Sequence, residues 1–130
     1  MSDWKQRTQL LIGEDGLQKL EQSHVLVVGL GGVGSYAAEA LVRAGVGRMT
    51  IVDGDVVDPT NKNRQLQALD STIGQHKALL LKERFLDINP HIQITAHCTF
   101  LEPDAFQELL HNDRYDFALD CIDSIQPKLN

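Results

Sequence analysis

Gly29, Gly31, Gly32 and Gly34 stand in the pattern Gly-x-Gly-Gly-x-Gly, directly behind the apolar run His24-Val25-Leu26-Val27-Val28. That spacing suits phosphate chemistry. The glycines allow a tight turn and let an anion approach the main chain. The N-terminus of the helix expected to follow, from Ser35 to Ala44, offers unpaired N–H groups and the positive end of a dipole. Asp53 closes the next apolar segment, where a carboxylate could hold ribose hydroxyls. The turn alone does not select a ligand, because nicotinamide, flavin and adenylate sites all use it.

The residues past Asp53 narrow the choice. Asn61-Lys62-Asn63-Arg64-Gln65 follows the second apolar segment, and Lys77 comes soon after. Hydride transfer has no use for cations here. Cleavage of a triphosphate does, because negative charge builds on the reacting phosphate and on the departing pyrophosphate. A donor aimed at such charge typically contributes about 3–4 kcal/mol to the transition state. A magnesium ion bridging phosphates needs a carboxylate or two, and Asp120 and Asp123 end the fourth apolar segment. Taken singly, Arg64 or Lys77 is most simply a solvated surface charge. Glycine turn, ribose acid, arginine, lysine and metal acid together suit nucleotidyl transfer.

These residues need a frame that brings them together. Residues 24–29 read as a first strand and Arg48 to Val52 as a second. Between them lies a helix carrying Tyr36, Ala37, Ala40, Leu41 and Ala44, with Gly45 as its stop. Ala78, Leu81, Phe85 and Ile88 recur at helical spacing and predict a helix near 74–88, ended by Asn89-Pro90. Ile92, Ile94, Ala96 and Cys98 alternate against polar neighbours over His91 to Cys98, as in a strand. Glu102-Pro103 opens a short helix to about His111, and Tyr115 to Cys121 reads as a fourth strand. Strands alternating with helices imply an α/β fold, a Rossmann-like, mostly parallel sheet with flanking helices and the order 3-2-1-4. The glycine turn, Asp53 and Asp120–Ser124 then converge at the carboxyl ends of the strands. Residues 1–22 read as an N-terminal helical arm of two short helices, interrupted by Gly13 and Gly16, with apolar contacts from Trp4, Leu10, Leu11, Leu17 and Leu20. Residues 23–130 read as a nucleotide-binding domain. Its fourth strand would be an exposed apolar edge. The sheet is therefore expected to be incomplete at its C-terminal end, as the N-terminal portion of a longer enzyme, or to be covered by a partner chain.

The ordered series of motifs resembles the MoeB/ThiF/HesA superfamily, the adenylating enzymes related to ubiquitin-activating enzyme. It runs Gly-x-Gly-Gly-Val-Gly, Val-Asp53-x-Asp55, Asn61-x-Asn63-Arg64-Gln65, Gly74-x-x-Lys77-Ala, Ile-Asn89-Pro90 and Asp120-x-x-Asp123-Ser, and it covers nearly the whole chain from Trp4 to Lys128. Within the superfamily, Asn63-Arg64-Gln65-Leu66-x-Ala68-Leu69 and Asp120-Cys-Ile-Asp123-Ser124-Ile-Gln-Pro127-Lys128 look most like the tRNA threonylcarbamoyladenosine dehydratases. Sulfur-carrier-activating members usually show Asn-Leu-x-Arg-Gln and Asp-x-x-Asp-Asn. Lys62 and Ser124 depart from those patterns.

The resemblance implies the following roles. Gly29, Gly31, Gly32 and Gly34 cradle ATP, and Asp53, with Asp55 close by, binds ribose. Asn61, Arg64 and Gln65 hold phosphates, Lys77 stabilises the triphosphate, and Asp123 carries Mg2+. Arg7 matches an arginine donated across a homodimer interface. It further implies ATP-dependent adenylation of a substrate carboxylate, either in modified tRNA or on a small ubiquitin-like sulfur carrier with its sulfur-transfer partner. In the tRNA case an internal nitrogen then displaces AMP and closes a ring.

Composition sets outer bounds. The chain has 130 residues, 42% of them hydrophobic, so one domain with a real core is expected. No apolar run reaches the roughly 18 residues of a membrane span, and Met1-Ser-Asp-Trp-Lys5 has no signal-peptide core, so a soluble cytoplasmic protein is expected. The net charge of −6 argues against a nucleic-acid surface spread over this segment. A tRNA enzyme would then draw its basic surface from elsewhere, and a sulfur-carrier adenylyltransferase is the alternative. An NAD-dependent oxidoreductase and a non-catalytic nucleotide-binding module are the other classes. Cys98 and Cys121 form no Cys-x-x-Cys pair and are expected to be buried reduced thiols. His24, His76, His91, His97 and His111 lack metal-ligand clustering and are expected to be structural or solvent-facing.

Overall fold

The computed structural model describes residues 3–122. His24–Val28 (β1), Arg48–Val52 (β2), Gln93–His97 (β3) and Phe117–Asp120 (β4) form one parallel sheet in the order β3-β2-β1-β4. This is the expected Rossmann-like order. Val28 pairs with both Val52 and Asp120, and Val52 pairs with His97. The four strands therefore end level, and whatever follows them lies along one edge.

β1 is buried along its whole length, as a central parallel strand covered on both faces must be. Its alternation sorts the core into two layers. Val25 and Val27 join Met49 and Ile51 beneath Gly32–Ala44 (α2) and Lys77–Ile88 (α3), which contribute Ala38, Val42, Ala78, Leu81 and Phe85. Leu26, Val28 and Val52 face the other way, against Leu101, Tyr115 and Phe106, Leu109 and Leu110 of Pro103–Asn112 (α4).

The helix ends follow local chemistry. α2 begins at Gly32, inside the glycine motif, rather than at Ser35. It ends at Gly45, whose φ of +114° is left-handed. The Gly45 amide donates to Val42 and the Val46 amide to Leu41, a Schellman closure that glycine favours. α3 begins at Lys77 rather than near 74, because Gly74 turns the chain at φ +85° just before it.

The arm differs from expectation in two respects. A short 3-10 turn, Asp3–Lys5, runs into Gln6–Glu21 (α1), which breaks only at Gly13 (φ 80°, ψ 169°); Gly16 stays helical. Leu17 is buried beside Gly45, but Leu10 and Leu11 are 81% and 86% exposed. The extended step at Gly13 breaks the helical phase, so these two leucines do not continue the face on which Leu17 packs. Cys98 is also exposed and Cys121 only partly buried, contrary to expectation. β3 ends at His97, and the alternation that would have buried Cys98 ends with it. No described helix is long and apolar enough to cross a membrane.

Candidate functional site

Above the level ends of the strands lies a cavity of about 680 Å3, inside the roughly 300–1,000 Å3 range of small-molecule sites. The glycine turn forms its floor. Gly29 takes φ +92°, and its amide donates to the carbonyl of Val52 at 2.9 Å. A side chain there would collide with the backbone of Cys121. Gly31 is the N-cap of α2, and both Gly29 and Gly31 line the cavity. Gly32 and Gly34 serve the turn differently. A Cβ on Gly32 would press on the Arg64 stem at 3.3 Å, and one on Gly34 would collide with the carbonyl oxygen of Gly29.

Asp53 ties the turn to the sheet. Its Oδ2 accepts from the Leu30 amide at 2.7 Å, and its Oδ1 from the Asp55 amide at 2.7 Å. Each oxygen keeps a free lone pair for a further donor such as a sugar hydroxyl. The carbonyl of Leu30 accepts from Gln67 Nε2 at 2.8 Å.

The far wall is cationic and polar. A 3-10 turn, Pro59–Asn63, is capped reciprocally by Asp58 and Asn61: Asp58 accepts from the Thr60 amide at 2.9 Å, and Asn61 Oδ1 accepts from the Asp58 amide at 2.8 Å. Hydrogen bonds from Thr60 hold the Asp58 carboxyl below the usual carboxylate range, so it stays ionised at neutral pH. This turn delivers Asn61, Arg64 and Gln65 to the cavity. Arg64 Nη1 donates to the Thr60 carbonyl at 3.0 Å and to Asn63 Oδ1 at 2.9 Å, with its stem on Gly32. Gln65 is 6% exposed, and its Oε1 has no partner among the described residues. Lys77, the first residue of α3, is 4% exposed, yet its Nζ lies 3.8 Å from Asp55 Oδ2, beyond hydrogen-bond range. An ammonium at the end of a buried side chain, so weakly partnered and on the cavity wall, is suited to receive an anion.

The residues that the sequence singles out are thus largely gathered: Gly29, Gly31, Asp53, Asp55, Asn61, Arg64, Gln65 and Lys77 line one cavity. Arg7 is exposed on α1, outside it. Asp123 lies outside the described residues. Among the described residues no three potential ligands form a metal-holding group, and Asp120 Oδ1 accepts from the Ile122 amide. A magnesium ion held mainly by phosphates and water needs no such group, and the carboxylate expected to carry it, Asp123, is not among the described residues.

The remaining walls are not evident from the sequence. Thr99, Phe100, Leu101 and Glu102 close the cavity after β3, with the exposed Phe100 ring lying over Gly54. The signal for them is topological, since segments following parallel strands line the crevice at their carboxyl ends. Cys121 and Ile122 form the wall after β4. Burial pushes the Cys121 thiol above its ordinary pKa, and nearby Asp120 adds to the effect, so it is a neutral wall group rather than an activated nucleophile.

The model of the ThiF family matches residues 5–129. The tRNA threonylcarbamoyladenosine dehydratase of Bacillus subtilis is 47% identical over 124 residues, covering 95% of this chain and 48% of that protein. The molybdopterin-synthase adenylyltransferase of Escherichia coli is 40% identical over 111 residues, covering 85% of this chain and 44% of that protein. Among solved structures, the E. coli tRNA N6-threonylcarbamoyladenosine dehydratase in complex with ATP superposes with a TM-score of 0.89 at 44% identity, over 98% of this chain and 54% of that one. The chain spans about half the length of the curated relatives it matches.

Proposed function

The chain belongs to the ThiF family, and on that premise we propose that it forms the nucleotide site of an ATP-dependent adenylating enzyme acting as a tRNA threonylcarbamoyladenosine dehydratase. One observation carries the reading: Arg64 and Lys77 line the same cavity as the glycine turn and Asp53. A dinucleotide site would need the turn and the acid but not the two cations.

The cavity divides the work. Asp53, with its free lone pairs, suits the ribose. The amide at Gly31 and the N-terminus of α2 suit a phosphate. Arg64, Gln65, Asn61 and Lys77 surround the space where the rest of a triphosphate would lie. A substrate carboxylate oxygen attacks the α-phosphorus as the bond to pyrophosphate breaks. Fixed cations stabilise that leaving charge without reorganising, so positioning and electrostatics supply most of the acceleration. A nitrogen of the substrate then attacks the activated carbonyl, AMP leaves with the bonding pair, and the nitrogen gives up its proton. The net change is loss of water, driven by ATP. No protein nucleophile is required, in keeping with a neutral Cys121.

The acidic balance of the chain, −6, favours a second reading, a sulfur-carrier adenylyltransferase. ATP–pyrophosphate exchange by the full-length protein separates the two. Exchange that depends on threonylcarbamoyladenosine-bearing tRNA supports the dehydratase. Exchange that depends on a ubiquitin-like carrier supports the alternative, and absence of exchange with either defeats adenylation.

A further inference from the structure

Gln67 is 4% exposed and does not line the cavity. Its side-chain amide faces the carbonyl of Leu30, which can only accept, so the NH2 group must be the end presented to it. The other end, Oε1, is then buried without a partner among the described residues. An orphaned buried acceptor costs on the order of 1–3 kcal/mol. A methionine would fill the same space and remove that orphan, but would leave the Leu30 carbonyl without its donor, so the two costs largely cancel and stability alone does not account for a glutamine here. The bond to Leu30 does something else.

What it does is aim a peptide plane. The described backbone has no cis bonds, and in a planar trans peptide the C=O and N–H point in opposite directions. Drawing the Leu30 carbonyl toward Gln67, which stands outside the cavity, turns the Gly31 N–H away from Gln67, and Gly31 itself lines the cavity. The preceding peptide is fixed as well, because the Leu30 N–H is held by Asp53 and the Leu30 side chain is fully buried. Only the 30–31 plane depends on Gln67. Released, it could rotate about the permissive glycine and set a carbonyl where the amide stood, exchanging attraction for repulsion toward an anion.

We infer that Gln67 is a positioning residue, which pins the Leu30 carbonyl inward so that the Gly31 amide is presented to a phosphate of the bound nucleotide. This rests on the nucleotide reading above. The test measures AMP and adenosine affinity by displacement calorimetry on the full-length protein, unaltered and as Gln67→Met, with thermal melting alongside. The expected result is a loss of about tenfold in AMP affinity, adenosine affinity within about twofold, and a melting temperature close to that of the unaltered protein. Equal weakening of both ligands, or of neither, overturns the inference and leaves Gln67 as packing. Should Gln67→Met fail to fold, Gln67→Leu, equally neutral and unable to donate, takes its place, and the same selective loss is expected. An unaltered protein that binds neither ligand overturns the nucleotide reading itself.

Discussion

Asp53 Oδ2 sits 2.7 Å from the amide nitrogen of Leu30, so the acid that ends the second strand holds the glycine turn that ends the first. Its other oxygen secures the Asp55 amide. Asp53 is therefore a structural clamp before any sugar arrives.

That double duty is measurable. Asp53→Ala leaves two backbone donors without their acceptor, and hydrogen bonds to charged groups are worth about 1.5–3 kcal/mol each. Urea unfolding of the ligand-free protein should show a loss of at least about 2 kcal/mol, with ATP affinity falling by roughly tenfold or more. A residue that served ribose alone would leave ligand-free stability unchanged.

Arg64 and Lys77 should separate binding from turnover. Their charge matters most where charge develops, so Arg64→Ala or Lys77→Ala is expected to slow pyrophosphate exchange by on the order of 10²–10³-fold. ATP should still bind, since the turn and Asp53 remain. Exchange at the unaltered rate in both variants would remove these side chains from the reaction.

Much of this site is legible in the sequence because its parts are short-range. The glycine spacing, the acid at a strand end and the 61–65 segment each write their role within a few residues. The strand order follows from alternating apolar runs and helices. What the sequence conceals is long-range. Nothing near Gln67 indicates that its side chain reaches Leu30, because that bond depends on how the segment following the 3-10 turn packs against the glycine loop. Phe100 is equally silent, being one aromatic in a loop until β3 places it over Gly54. Gly13 breaks the arm helix, as the sequence suggests, but the sequence does not reveal that the break, at φ 80°, ψ 169°, leaves Leu10 and Leu11 off the face on which Leu17 packs. Gly16 in the same helix makes no break.

Gly34 is a packing requirement. A Cβ there would strike the Gly29 carbonyl and approach Cys121 Cβ at 3.1 Å, so α2 would have to move off β1. Gly34→Ala is expected to cost at least about 2–3 kcal/mol, at the upper end of ordinary overpacking. Gly74→Ala is the control. It meets nothing within 4 Å and bears only a left-handed φ of +85°, worth about 1–2 kcal/mol. Denaturant midpoints for the two variants should fall in that order, and the reverse order would rule out the clash as the reason for glycine at 34.

At the opposite end of the sheet, His24 ties the fold to pH. Its ring is buried, with Nδ1 2.9 Å from the Arg114 carbonyl and Nε2 2.8 Å from Thr50 Oγ1. A carbonyl only accepts, so the neutral ring carries its proton on Nδ1 and receives the threonine hydroxyl at Nε2. Burial drives its pKa below the ordinary 6.5, outweighing the upward pull of the Arg114 carbonyl, and nearby Arg48 pushes the same way as burial. The sign follows from proton counting. Between the lowered folded value and 6.5, the unfolded chain binds a proton that the folded chain refuses, so stability falls as pH drops below about 6.5. The decline ends once the folded ring takes its own proton. Glu39 adds a second loss at lower pH. Burial alone would raise its pKa, but hydrogen bonds from Arg84 and Arg43 hold it below 4.5, and that stabilisation disappears as the carboxylate is protonated. Urea midpoints at pH 8, 6.5 and 5.5 for the unaltered protein and His24→Leu provide the check. The difference between the two should shrink as pH falls, and a difference that stays constant would mean that His24 does not govern this limb.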